Sequence, residues 1–111
     1  MPKNDYRANA EIWELENDVL KKILNVIIEG ETDFDTVKKM ILKKAYHLPN
    51  KMLAPDKFAD AYAAELQEIY STNKDNSGGY AEWYEIYTEN RDIGYQIATT
   101  INGYLIWANK R

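Results

Sequence analysis

Apolar residues recur along this chain with helical spacing, most densely between Glu11 and Glu29 (EIWELENDVLKKILNVIIE). With about 100° of rotation per residue, Glu11, Glu14, Asp18, Lys21, Lys22, Asn25 and Glu29 gather in one narrow polar stripe. Ile12, Trp13, Leu15, Val19, Leu20, Ile23, Leu24, Val26, Ile27 and Ile28 fill most of the remaining circumference. A surface helix needs an apolar stripe of only about a third of its girth. A helix apolar over more than half is therefore predicted to touch two or more other elements. Glu16 breaks the pattern, because it points into the apolar arc between Ile23 and Ile27.

The same periodicity predicts the other elements. Asn4 or Asp5 can cap the first helix, and Gly30 suits its end. Thr32 or Asp33 can cap a second helix with Phe34, Val37, Ile41, Ala45 and Leu48 on one stripe and Lys39, Lys43 and His47 opposite. Leu48-Pro49 stops it, since a residue preceding proline avoids the α region. Pro55 suits the first position of a third helix, with Phe58, Ala59, Tyr62, Leu66, Ile69 and Tyr70 facing inward. Residues 73–79 (NKDNSGG) form a loop rich in turn formers. From Tyr80 the pattern resumes, with Trp83, Tyr87, Asn90, Gly94, Ile97, Ile101, Leu105 and Ala108 on one face. This predicts one long helix, or two broken near Asn90-Arg91-Asp92 with Asn90 as the second cap. Asn102-Gly103 is also a strong hairpin signal, but a lone hairpin is marginally stable and no other stretch reads as a strand. The expectation is an all-α bundle of four or five helices, a single domain over 1–111. Helix 1 and a long or kinked C-terminal helix form its core.

Composition narrows the class. The 111 residues carry a net charge of −4 and no cysteine. Disulfides, thiolate metal sites and cysteine nucleophiles are excluded, and the acidic balance argues against a nucleic-acid binder. The polar start, MPKNDYRANAE, lacks the apolar core of a secretory signal, and no apolar run is long enough to span a membrane. A cytoplasmic location is expected. Charge is unevenly spread: residues 33–57 hold six lysines against three aspartates, and residues 58–90 one lysine against seven acids.

Candidate chemistry is sparse. Glu16 is expected to be buried and paired with an Arg or Tyr from another helix, because an unpaired buried charge costs several kcal/mol; Arg7 and Arg91 are candidates. The alternative is a functional carboxylate. Lys38, Lys39, Lys43 and Lys44 form a basic patch that could meet an anionic surface or nucleic acid, or simply balance the acidic helices. Tyr84, Tyr95 and Ile106 form a second stripe on the C-terminal helix, and Trp107 falls on its polar side. These four are the candidate partner-binding residues, since Tyr and Trp are enriched where interfaces concentrate their energy.

The spacing Glu65-x-x-Glu68 followed by Glu82-x-x-Glu85 resembles the magnesium motif of the all-α nucleoside-triphosphate pyrophosphohydrolases, with Glu where that family has Asp. The resemblance covers about 20 residues and implies metal-dependent nucleotide hydrolysis. The helical wheel opposes it: Glu82 and Glu85 lie opposite the apolar face, whereas metal-binding carboxylates in a bundle project inward. His47 has Lys44 three residues before it, which excludes the usual di-iron Glu-x-x-His pattern. The loop at 73–79 imitates half an EF-hand, but its twelfth position is Tyr84. No catalytic residue, metal site or cofactor is assigned. The expected function is non-enzymatic binding of another protein, of the accessory, immunity or inhibitor type, or of a second copy as a homodimer.

Overall fold

The computed structural model describes residues 6–30, 33–76 and 78–101, with side chains from residue 10 onward. Five helical segments follow one another: α1 (Tyr6–Ile28), α2 (Phe34–Tyr46), α3 (Pro55–Thr72), α4 (Tyr80–Thr88) and α5 (Ile93–Ile101). Segments α4 and α5 are two arms of a kinked C-terminal helix, broken where the sequence allowed. The fold is an all-α bundle, with no strand among the described residues. The expected caps at Asn4, Asp5 and Thr32 and the hairpin signal at Asn102-Gly103 lie outside those residues, as does the Arg7 side chain.

Local signals set the helix ends. Gly30 adopts φ +88° just past α1, a left-handed conformation that glycine enters without strain. Asp33 caps α2, its carboxylate accepting from the Asp35 N–H at 3.1 Å and the Thr36 hydroxyl at 2.8 Å. The Thr36 and Asp35 bonds hold the Asp33 carboxyl below its ordinary range, and the Asp35 bond also satisfies an N–H that a helix start leaves free. Pro55 opens α3, and the Asn73 side chain donates to the Ile69 carbonyl at its end.

The core is continuous. Ile12, Leu15, Val19, Ile23 and Leu24 of α1 meet Phe34, Val37, Ile41 and Ala45 of α2, and Phe58, Ala59, Tyr62 and Leu66 of α3. Trp83, Tyr87 and Ala98 close it from the C-terminal arms. The predicted inner faces of α2 and α3 are the observed ones, and these two helices pack most closely of all. Helix α1 touches α2, α4 and α5, which accounts for its broad apolar arc. That arc narrows at its end, where Ile28 is exposed. Aromatic rings join α2, α3 and α4: Phe34 lies 5.9 Å from Tyr70, which stacks on Trp83 at 5.4 Å, and Trp83 lies 6.1 Å from Tyr87. The Tyr87 hydroxyl donates to the Leu66 carbonyl, so a buried ring also satisfies its polar tip. Three of the chain's twelve Tyr and Trp residues, Tyr70, Trp83 and Tyr87, thus meet in one interhelical seam.

Candidate functional site

Glu16 is 4% exposed, as its place on the wheel predicted. Its partner is not the expected Arg or Tyr side chain. One carboxylate oxygen, Oε2, accepts from the Gly94 backbone N–H, and the Tyr95 N–H also bonds to the carboxylate. Gly94 and Tyr95 are the second and third residues of α5. These are the N–H groups that an N-cap side chain normally satisfies. Glu16 therefore caps α5 from another helix, 78 residues away in the chain.

Asn90, the expected cap, instead turns its side-chain amide back to the Ile86 carbonyl and closes α4. Gly94 makes the approach possible: a Cβ there would lie 2.6 Å from Glu16 Oε2 and 3.0 Å from Cγ. Arg91 is engaged elsewhere, donating to Asn17 Oδ1 at 2.6 Å and sitting 4.9 Å over the Trp13 ring.

The Glu16 carboxyl is pushed up from 4.5 to about 7, because burial penalises its charge more than the two N–H bonds favour it. Asp92 nearby pushes the same way, and Arg91 opposes it weakly. The other oxygen, Oε1, has no hydrogen-bond partner among the described residues. A cavity of about 20 Å³ adjoins Glu16, bounded by Tyr62, Leu66, Tyr87 and Asn90. That is the space of one water and far below what a substrate needs. The site can hold a proton and anchor α5, but it is too small to admit a reactant.

A second buried glutamate went unread in the sequence. Glu11 belongs to the polar stripe, yet it is only 9% exposed. Its Oε1 accepts from the Asn50 backbone N–H at 3.2 Å and its Oε2 from the Asn50 side-chain amide at 2.7 Å. The connection between α2 and α3 folds over the stripe and buries it there. Glu-Asn spacing carries no signal for such a clasp.

The basic patch splits in two. Lys38 turns to α3 and pairs with Asp60 at 2.6 Å. Lys39, Lys43 and Lys44 turn toward α1, where with Lys22, Met40 and His47 they line an open cleft of about 560 Å³. Lys44 also bonds Asp18 of α1 at 2.8 Å, which holds the Asp18 carboxyl below its ordinary range. Lys22 of this cleft was not in the expected patch; it lies on another helix and joins the group only through packing.

Of the candidate partner-binding residues, Tyr84 is exposed, at 43%. It pairs with Tyr80 one turn earlier, 45% exposed, with ring centroids 6.4 Å apart. Tyr95 is half-buried and packs against the core. Ile106 and Trp107 lie outside the described residues. A further exposed pair, Tyr46 at 62% and Leu53 at 60%, flanks a groove of about 430 Å³ at the α2–α3 corner. These two sit at the end of α2 and in the connection after it, where wheel analysis does not reach.

Glu65, Glu68, Glu82 and Glu85 are all exposed. Among the described residues, no group of three or more His, Asp or Glu is placed to hold a metal ion. The magnesium arrangement that the spacing resembles is therefore not assembled by these four side chains. No helix among the described residues is long and apolar enough to cross a membrane.

The chain matches no known protein family, and no curated protein or solved structure matches it.

Proposed function

We propose that this chain acts without catalysis in the cytoplasm, by binding another protein or a second copy of itself. The observation that carries this reading is the Tyr80–Tyr84 pair on α4. Single exposed apolar residues are ordinary on a protein surface. Two tyrosines paired one turn apart with tilted rings, each nearly half exposed, are a different feature. Their rings lie beyond the aromatic seam, which is already closed by Trp83 and Tyr87. They offer large rigid area with polar tips, and little side-chain entropy is lost when they are covered.

The test is the solution mass over a range of concentrations, for the native chain and for a Tyr80→Ala/Tyr84→Ala variant. Self-association that the variant loses, with its helix content intact, supports the homodimer. A monomer at every concentration leaves the other-protein form of the reading, which is tested by comparing proteins retained from the native host on the two chains. Identical retention by both would reject the reading at this surface.

A further inference from the structure

The cleft between α1 and α2 concentrates positive charge on an otherwise acidic protein. Lys39 and Lys43 stand one helical turn apart on α2, where like charges about 5–6 Å apart at their Cβ atoms repel each other. Lys22 faces them from α1. None of these three has an ion-pair partner among the described residues, whereas Lys38 and Lys44 are each paired. The Lys44–Asp18 bridge ties the two helices together beside the cleft and holds its walls in register.

His47 stands at the end of the cleft. Its Nδ1 lies 2.8 Å from the Lys43 carbonyl, and a carbonyl only accepts, so Nδ1 carries the proton of that bond. This fixes the orientation of the ring at the end of the cleft. Met40 supplies an apolar patch in the wall.

We infer that this cleft is a binding site for a ligand carrying two or more linked phosphate groups. Three physical points select that class. The first is shape: about 560 Å³ is a small-molecule volume, and the site is concave rather than a stripe. The second is charge. Three ammonium groups without a contact ion pair among the described residues surround one volume, Asp18 and Asp33 acting on Lys22 and Lys39 only at longer range; they match an anion of several charges, and a single phosphate reaches fewer of them. The third is composition: the cleft has no Arg, and no Phe, Tyr or Trp ring. Base stacking and bidentate contacts, on which nucleic-acid readers depend, have nothing to work with here. Lysine acts on phosphate as a point charge, which suits a flexible oligophosphate without fixed contact geometry.

The test is calorimetric titration of the full chain with inorganic tripolyphosphate at low ionic strength, beside orthophosphate. The expected result is one tripolyphosphate per chain, orthophosphate at least tenfold weaker, and affinity that falls as salt rises. Tripolyphosphate is also expected to raise the melting temperature, because it binds the folded state. The Lys39→Gln/Lys43→Gln variant is expected to bind about a hundredfold more weakly, since each of the two lost charged hydrogen bonds costs roughly tenfold. Lys38→Gln, whose lysine faces α3, is expected to bind like the native chain.

Vesicles carrying a phosphoinositide, set beside vesicles of neutral lipid alone, separate a membrane headgroup from a soluble ligand; binding to the former supports the same phosphate chemistry at a surface. Absence of tripolyphosphate binding would overturn the assignment. So would equal weakening by Lys38→Gln, or tighter binding of duplex DNA than of tripolyphosphate. All three lysines are at the surface, and circular dichroism of each variant separates lost binding from lost folding.

Discussion

Helix α1 sends two carboxylates into the fold, five residues apart, and they meet different fates. Glu11 is clasped by Asn50, which supplies a backbone N–H and a side-chain amide, so both its oxygens accept. Glu16 meets only the backbone at the start of α5, and its second oxygen has no hydrogen-bond partner among the described residues. Glu11 lies at the edge of the bundle under a connection, and Glu16 lies among Val19, Tyr62 and Leu66. Burial is similar and each carboxylate receives two N–H donors, but those at Glu11 serve both oxygens, whereas Glu16 Oε1 is left without one among the described residues. A buried carboxylate is tolerated in proportion to the hydrogen bonds that replace its water. For Glu16 those bonds fall short, and the carboxyl rises to about 7.

The largest expected effect tests that contrast through pH. The folded pKa of Glu16, about 7, lies above its ordinary 4.5, so the folded state holds the proton more tightly. Its proton-linked contribution is fully present below pH about 4.5 and is lost as pH rises through about 7. The difference between the two limits is on the order of 3 kcal/mol, an upper bound. Urea unfolding at a series of pH values is expected to show stability rising between pH about 8 and about 5, and Glu16→Gln should flatten that slope. A native chain with no slope in this window would remove the contrast between the two glutamates.

The next effect breaks the Glu16 contact from the other side. Gly94→Ala adds a methyl where the Glu16 carboxylate sits. Alanine favours a helix over glycine by about 1 kcal/mol, but overpacking a buried site costs about 1–3 kcal/mol. Displacing the carboxylate also frees two N–H groups of α5. A net loss of about 2 kcal/mol is expected, read by thermal unfolding, and the pH slope should shrink with it. A more stable Gly94→Ala protein would mean that Glu16 is held loosely.

Cutting the better-served glutamate should matter less. Asn50→Ala removes one of the two Asn50 bonds to Glu11 and keeps the backbone one. The expected cost is about 1 kcal/mol, with faster amide hydrogen exchange in the α2–α3 connection as its local signature. The smallest effect belongs to the surface. Tyr84→Ala should change stability by no more than about 0.5 kcal/mol, because the ring is exposed and away from the seam. Any larger loss would place Tyr84 in the fold rather than at a binding surface.

Helix periodicity carried much of this fold. The inner stripes of α2 and α3 were legible because packing there follows wheel position alone: Val37 and Ile41, and Phe58 and Tyr62, are buried where the spacing puts them. The break between α4 and α5 was legible as a run of polar residues at 90–92. The candidate sites were less so. Lys39 and Lys43 were visible as a patch, but their separation from Lys38 came from which neighbouring helix each one faces. Tyr84 was visible as an off-face aromatic, and so was Tyr95, which is half-buried against the core. The four glutamates of the acidic pairs had motif spacing and stayed in solvent, since spacing along a helix does not bring two helices face to face.

By itself, the sequence determined the end of α1 at Gly30, the starts of α2 and α3, which stripe of each turns inward, and that Glu16 sits among apolar residues. Those properties depend on neighbours within a turn or two of the chain. Tertiary structure alone decided that Glu16 caps α5, that Glu11 is covered by Asn50, and that Lys22 joins the lysines of α2 around one cleft. Each of these depends on a residue far away in sequence. For Glu16 the partner is a backbone N–H, a group every residue but proline carries, so no side-chain pattern could announce it.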